Sequence, residues 1–478
     1  MSVRRANDAP EPVLPAGLTT AVGGPAGRRL RRPDAGPLAP LAPVVLLLAV
    51  PLSLAALRQA GCLAGGWRGG TPLWRQCGSP LVESLPAADL GRGLTAYLSG
   101  DVRLDEPVLT GAVTAALAGF SPGAGTGEQR WFLVLWMLLA SVLLVALVVV
   151  VGTVRRHPAA DPVVVALSPV VALTVLLSAD LVPIVIAVTG VWAWTRDRAR
   201  LAGALIGLAV LGGALAAVVL PVLALLPGPG AVPAVRRLLV AAGVTVAGLA
   251  ASVSLFDVDT LTRPYAAWLT GGAGPGSPWY LATLAGHPAD ARLVVAGAAL
   301  GWVAAAALVV VRVRRWPRPV IGAVVVVGLA VVLVTSPSLP PQSALWLLPF
   351  LALVGLGWRD HLVWAGAEAV HAVALSAYLA AAADPQHGLP AGWYALALSL
   401  RLLAVGWVAS RAWVAAGERG PAPSSGTPGQ EVRGTASGAS WVDAEAAGTL
   451  AWLPSRRPVE KSTGRVGGNA YPPVTEGP

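Results

Sequence analysis

At 478 residues, 55% apolar and only 12% charged, with a mean hydropathy of +0.68, the chain lies outside the composition of soluble domains and requires a bilayer as solvent. The net charge of +10 and pI near 10.6 come from arginines clustered in short connectors between apolar runs. That is the positive-inside pattern, so the basicity implies no nucleic-acid partner.

The first 36 residues are polar and arginine-bearing and are expected to form a disordered cytoplasmic N-terminus. The apolar run that follows lacks a small-residue cleavage site and reads as a retained first span. Arginine clusters at Arg28–Arg32, Arg155-Arg156, Arg196–Arg200, Arg236-Arg237, Arg312–Arg318, Arg359, and Arg411 with Arg419 are assigned to the cytoplasm. An even number of crossings must then separate successive clusters. Twelve spans satisfy this, near 38–58, 131–152, 162–178, 181–195, 200–213, 215–230, 238–256, 293–311, 319–335, 343–357, 361–382 and 392–413. Leu201–Leu226 reads either as one long tilted helix or as a hairpin broken near Gly212-Gly213 or Pro221.

The expected fold is therefore an all-α, multi-pass plasma-membrane protein over 37–416 with both termini cytoplasmic, and a disordered cytoplasmic tail over 417–478. External loops fall at 59–130, 257–292, 336–342 and 383–392, and loops as long as the first two usually carry function.

The first loop holds both cysteines, Cys62 and Cys77, which read as a disulfide in an oxidising compartment or as two buried free thiols. It also concentrates Glu83, Asp89, Asp101, Asp105, Glu106 and Glu128 around Arg92 and Arg103. Two readings stand: a solvated loop with surface pairs, or one carboxylate acting as a general base while arginines contact an anionic group. Ionisable groups near or in the spans are functional candidates because charge is costly there. Asp180 sits at a tight turn, and Glu368 and His371, at i and i+3, are placed to satisfy each other on one helix face. The five histidines have no metal-ligand spacing, and no phosphate loop, nucleotide fingerprint or nucleophile elbow is present. No metal or cofactor is therefore expected.

Several short motifs occur in a familiar order: Cys62, Gly66-Trp67 and Cys77; Gly91-Arg92-Gly93-Leu94; Asp105-Glu106-Pro107-Val108-Leu109-Thr110-Gly111; and Ser168-Pro169 followed by Ser178-Ala179-Asp180-Leu181. Gly276-Ser277-Pro278-Trp279-Tyr280, Pro340–Pro349 with Gln342 and Trp346, and Ala367-Glu368 with His371 complete the set. In order and spacing this resembles the actinobacterial branch of glycosyltransferase family 87, membrane mannosyltransferases of the C-type fold, and the similarity covers roughly Pro37 to Trp413. The near-absence of lysine, with Lys461 alone among 34 basic residues, fits a GC-rich genome.

The resemblance implies transfer of a hexose, mannose, from a polyprenyl-phosphate donor to a glycolipid or glycan acceptor at the extracytoplasmic face. Membrane lipid would contact the spans, and no cofactor would be needed. Glu83, Asp89 and Asp105 become catalytic candidates, and Arg92, Arg103, Asp180, Trp279, Tyr280, Gln342, Trp346, Glu368 and His371 substrate-binding ones. The departures fall on charge. The family's usual base position lands on Ser84, its lysines near Gly213 and at Ser336-Pro337, and an acid-arginine segment on Thr270-Gly271-Gly272. The alternative is thus a diverged, non-catalytic protein of the same fold that binds lipid or an assembly partner.

Overall fold

A computed structural model describes residues 41–67, 70–154, 161–226, 231–315, 320–382, 386 and 388–415. The expectations for 1–36 and 417–478 lie outside these. The described residues are helical, without strands.

Six helices are long and apolar enough to cross a membrane. They are α1 (Ala42–Gly65), α5 (Thr126–Val154), α10 (Val232–Ser254), α13 (Ala291–Arg315), α16 (Trp358–Ala380) and α17 (Ala391–Ala415). Between α1 and α5 lie α2 (Pro80–Ala87), α3 (Gly93–Leu98) and α4 (Val108–Gly119). Between α5 and α10 come α6 (Pro162–Thr174), α7 (Leu181–Trp194), α8 (Ala199–Val210) and α9 (Ala214–Leu225). After α10 follow α11 (Val258–Thr270) and α12 (Trp279–Leu284), and between α13 and α16 sit α14 (Ile321–Thr335) and α15 (Pro341–Val354).

Local sequence explains the breaks. Asp161 caps α6 by accepting the Val163 N–H at 2.9 Å, with Pro162 in the first turn, and Ser168-Pro169 restarts the same helix one turn later. The run 201–226 breaks at Leu211-Gly212-Gly213, as the glycine-based reading expected, and restarts as a 3-10 turn at Ala214–Val218. Gly203 and Gly207, four residues apart, let the backbones of α8 and α10 touch: a β-carbon on Gly203 would collide with the Leu238 carbonyl.

Length and burial sort the helices. The short α14 is buried on most of its surface and the main helix of α15, Ala344–Val354, on all of it, which fits elements that are apolar all round. The long α10, by contrast, leaves Leu239, Val240, Val244 and Leu249 exposed. At about 1.5 Å per residue, the 14-residue α7 rises ~21 Å and the 29-residue α5 ~44 Å, against a hydrocarbon thickness of ~30 Å. The short α14 and α15 are thus more deeply buried than the long helices, and polar groups collect in the connectors at the helix ends.

Candidate functional site

The Cys62–Cys77 disulfide, with Cα atoms 5.8 Å apart, ties the end of α1 to the segment before α2. The Trp67 indole N–H, at 3.1 Å from each, donates to Gln59 Oε1 and the Cys77 carbonyl. Ser79 Oγ then donates to the Leu176 carbonyl at 2.6 Å, tying the loop to the segment that leads into Asp180. Glu83 accepts the Ser79 N–H at 3.2 Å and so closes the first turn of α2. Burial raises its pKa, and the Ser79 hydrogen bond opposes the rise. A carboxylate spent on a helix start is poorly placed to take a substrate proton.

Most of the other first-loop candidates face solvent. Asp89 is exposed in a left-handed conformation at φ 52°, and Arg103 and Asp105 are exposed as well. Arg92 pairs with Asp101 at 3.0 Å, but both side chains are about half exposed, so the pair contributes little.

A different carboxylate turns inward. Glu106, at the entrance to α4, meets Asp180, at the turn between α6 and α7; each keeps only a partial solvent edge. Burial first, then the charges of Asp180 and Asp105, push the Glu106 pKa up to about 7, with Thr110 opposing. Asp180 is also raised by burial, against hydrogen bonds from Ser178, whose hydroxyl donates at 2.9 Å, and from Trp346. The convergence is built by backbone: the Leu109 N–H donates to the Leu211 carbonyl at 3.0 Å, which seats α4 on the break between α8 and α9. Gly213 in that break lies under the Trp346 ring, where a β-carbon would come within 2.7 Å of Cζ2. Tyr97 of α3 adjoins the pair. It is fully buried against Gly111, and its phenol feels both Glu106 and Arg263 of α11.

A second polar cluster lies under the loops 271–278 and 336–340. The expectation that Glu368 and His371 satisfy each other is corrected here. Glu368 pairs instead with Arg401 of α17, Oε2 to Nε at 2.8 Å with both side chains buried, while His371 Nε2 meets the Tyr394 hydroxyl at 3.4 Å. The opposite charge was available on the next helix, and one buried guanidinium satisfies a carboxylate better than a neutral ring. Arg401 also donates to the Leu339 carbonyl and, at 3.1 Å, to that of Pro340. The Tyr394 hydroxyl accepts the Gly276 N–H at 3.0 Å, and the Gly274 N–H donates to the Pro337 carbonyl at 2.8 Å. Trp279 donates to the Thr335 carbonyl at 3.1 Å, Tyr280 meets the Tyr378 hydroxyl at 3.4 Å, and Gln342 sits half-buried on the turn Pro341–Ser343. These residues hold two loops together, with Glu368 Oε1 and His371 Nδ1 left buried without a partner.

Of the residues singled out from sequence, the fold thus brings together Asp180 and Trp346, while Asp105 stays exposed beside Glu106. Glu83, Asp89, Arg92 and Arg103 stay apart from them, and Glu368, His371, Trp279 and Tyr280 belong to the loop clamp. Sequence reasoning grouped Glu106 with the other first-loop carboxylates without choosing it, and passed over Tyr97, Arg263, Tyr394 and Arg401. Arg401 carried a usable signal, a lone arginine inside an apolar span; Glu106 had only its place beside Asp105. Among the described residues no group of three His, Cys, Asp or Glu side chains is arranged to hold a metal ion. No protein-family model and no curated protein matches the chain.

Proposed function

We propose that this chain is an integral membrane glycosyltransferase of C-type architecture. It moves a hexose, mannose, from a polyprenyl-phosphate donor to a lipid or glycan acceptor on the extracytoplasmic face. In this reading the short apolar helices complete about twelve crossings inside a thinned, water-entered core, the disulfide-bearing end faces out, and both termini are cytoplasmic.

The observation that carries the reading is the Glu106–Asp180 pair. A carboxylate whose pKa is pushed up to about 7, beside a second carboxylate, is matched to general-base work near neutral pH. Glu106 takes the proton of an acceptor hydroxyl as that oxygen bonds to the anomeric carbon. The bond from that carbon to the phosphate oxygen breaks, and polyprenyl phosphate leaves with the electron pair. Asp180, held by Ser178 and Trp346, keeps Glu106 basic and orients the acceptor. The motif order in the loops supports the donor class.

The second reading, a non-catalytic lipid-binding protein of the same fold, is favoured by one observation. A family lysine falls near Gly213, and there the Trp346 ring fills the space a side chain would need. Transfer of labelled mannose from synthetic mannosyl-phosphoryl-polyprenol to a membrane acceptor by the reconstituted chain separates the two. Transfer that is lost in Glu106→Gln supports the enzyme; donor binding with no acceptor ever labelled supports the second reading.

A further inference from the structure

The amphipathic helix α11 has no role in the base pair described above, yet it borders it. Asp257 caps the helix, accepting the N–H groups of Asp259 and Thr260 at 3.3 and 2.8 Å and the Thr260 hydroxyl at 2.7 Å. Val258, Leu261, Tyr265, Trp268 and Leu269 recur at helical spacing along it. Just before it, at the end of α10, Leu255 and Phe256 are 86% and 70% exposed. An amphipathic helix that follows a lipid-facing one lies along the membrane interface. Thr260 and Arg263, at i and i+3, share the face turned toward Tyr97, whose carbonyl lies 3.4 Å from the Thr260 hydroxyl.

Two polar groups on that face are unsatisfied. Arg263 Nη1 is buried without a hydrogen-bond partner, and so is the hydroxyl of Tyr97, a residue with no exposed surface. Asp257 feels the charge of Arg263, but its oxygens already accept three donors in the helix cap. Burial and the Glu106 charge keep the Tyr97 phenol protonated, hence able to donate. A buried donor without an acceptor is costly unless a ligand supplies one. The missing partner is anionic and rich in acceptor oxygens, and it arrives at the level of the lipid headgroups.

We propose that Arg263 and Tyr97 hold the phosphate of a polyprenyl phosphate, with the isoprenoid chain lying along the exposed apolar flank of α10 and α11. This rests on the transferase reading above and names the phosphate end of its donor site. Tyr97 feels both Arg263 and Glu106, so its phenol links the phosphate end of the site to the base. No family position is carried over to Arg263; the assignment comes from its unsatisfied nitrogen.

The test uses the full chain in phosphatidylcholine nanodiscs, titrated with farnesyl phosphate, farnesol and inorganic phosphate and read by tryptophan fluorescence. Farnesyl phosphate should bind saturably, Arg263→Gln should weaken it about 10- to 100-fold, and Tyr97→Phe about 3- to 10-fold. Arg263→Lys should retain part of the affinity and guards against a folding defect, while the exposed Arg292→Gln should change nothing. Farnesol should not distinguish wild type from Arg263→Gln, and inorganic phosphate should compete only weakly. Wild-type farnesyl phosphate affinity in both Arg263→Gln and Tyr97→Phe overturns the site, and free phosphate binding as tightly as the lipid overturns the lipid assignment. If the lipid phosphate binds through Arg263 but no mannose is ever transferred, the site stands and the transferase reading falls. If mannose is transferred with an unchanged donor KM in Arg263→Gln, the reverse holds.

Discussion

Two polar clusters lie near the helix ends, and they differ in how charge is paired. Beneath the loops 271–278 and 336–340 opposite charges meet: Glu368 pairs with Arg401, which also donates to backbone carbonyls, and His371 meets Tyr394, while Glu368 Oε1 and His371 Nδ1 keep no partner. Around Glu106, carboxylate faces carboxylate, and the nearest phenol and guanidinium each keep an unsatisfied group. Buried charge that is matched makes architecture. Charge left unmatched is unstable in isolation and persists where a substrate completes it. The clamp is therefore expected to report on stability and the acid pair on activity.

The largest effect that would sharpen this contrast is catalytic. Glu106→Gln should reduce mannose transfer by about 10²- to 10⁴-fold without lowering the melting temperature, the range for loss of a general base. Unchanged transfer would remove Glu106 from the chemistry. Next comes the clamp: Arg401→Met leaves Glu368 buried and unpaired, and should cost about 3–5 kcal/mol of stability in detergent melts. Adding Glu368→Leu to the same protein should restore much of that loss, because it removes the uncompensated charge; a double variant as unstable as the single one would contradict the pairing.

Removing the disulfide with Cys62→Ala and Cys77→Ala should cost about 3 kcal/mol for a separation of 15 residues, again read by melting. The smallest effect is on pH. The folded-state pKa of Glu106 is raised from 4.5 to about 7, so its contribution to stability is full below about 4.5 and lost as pH rises through about 7. Glu106→Gln should consequently melt higher than wild type above pH 7 and no higher near pH 4. Transfer by wild type should rise through about pH 7 as the base ionises. In Asp180→Asn that rise should move to lower pH, by up to about one unit, because one of the two charges that lift Glu106 is gone; an unmoved midpoint would show that burial alone sets it.

Much of the helical pattern could be read directly. The six long helices overlap the expected spans with ends shifted by up to seven residues, because apolar runs of that length have no other stable state in lipid. The break at Gly212-Gly213 was legible as well, since glycine lowers the cost of interrupting a helix. The candidate site was legible only in part. Asp105, Asp180 and Trp346 stood out by type and motif, but Glu106 and Asp105 are neighbours of the same chemistry, and nothing in one sequence says which of them turns inward. The partner of Glu368 was misread for a similar reason: i, i+3 spacing is visible along one helix, whereas Arg401 arrives from another.

The amino-acid sequence by itself determined that this is a helical chain made for a bilayer, where its long apolar runs lie, and which loops collect charge. Those properties follow from local hydrophobicity and backbone hydrogen bonding, which act over a few turns. Tertiary structure alone decided which charges meet: that Arg401 closes on Glu368, that Glu106 faces Asp180 while Asp105 faces water, and that Arg263 and Tyr97 each bury a polar atom without a partner. Electrostatic coupling depends on distance and desolvation between segments far apart in the chain, and these exist only once the helices pack.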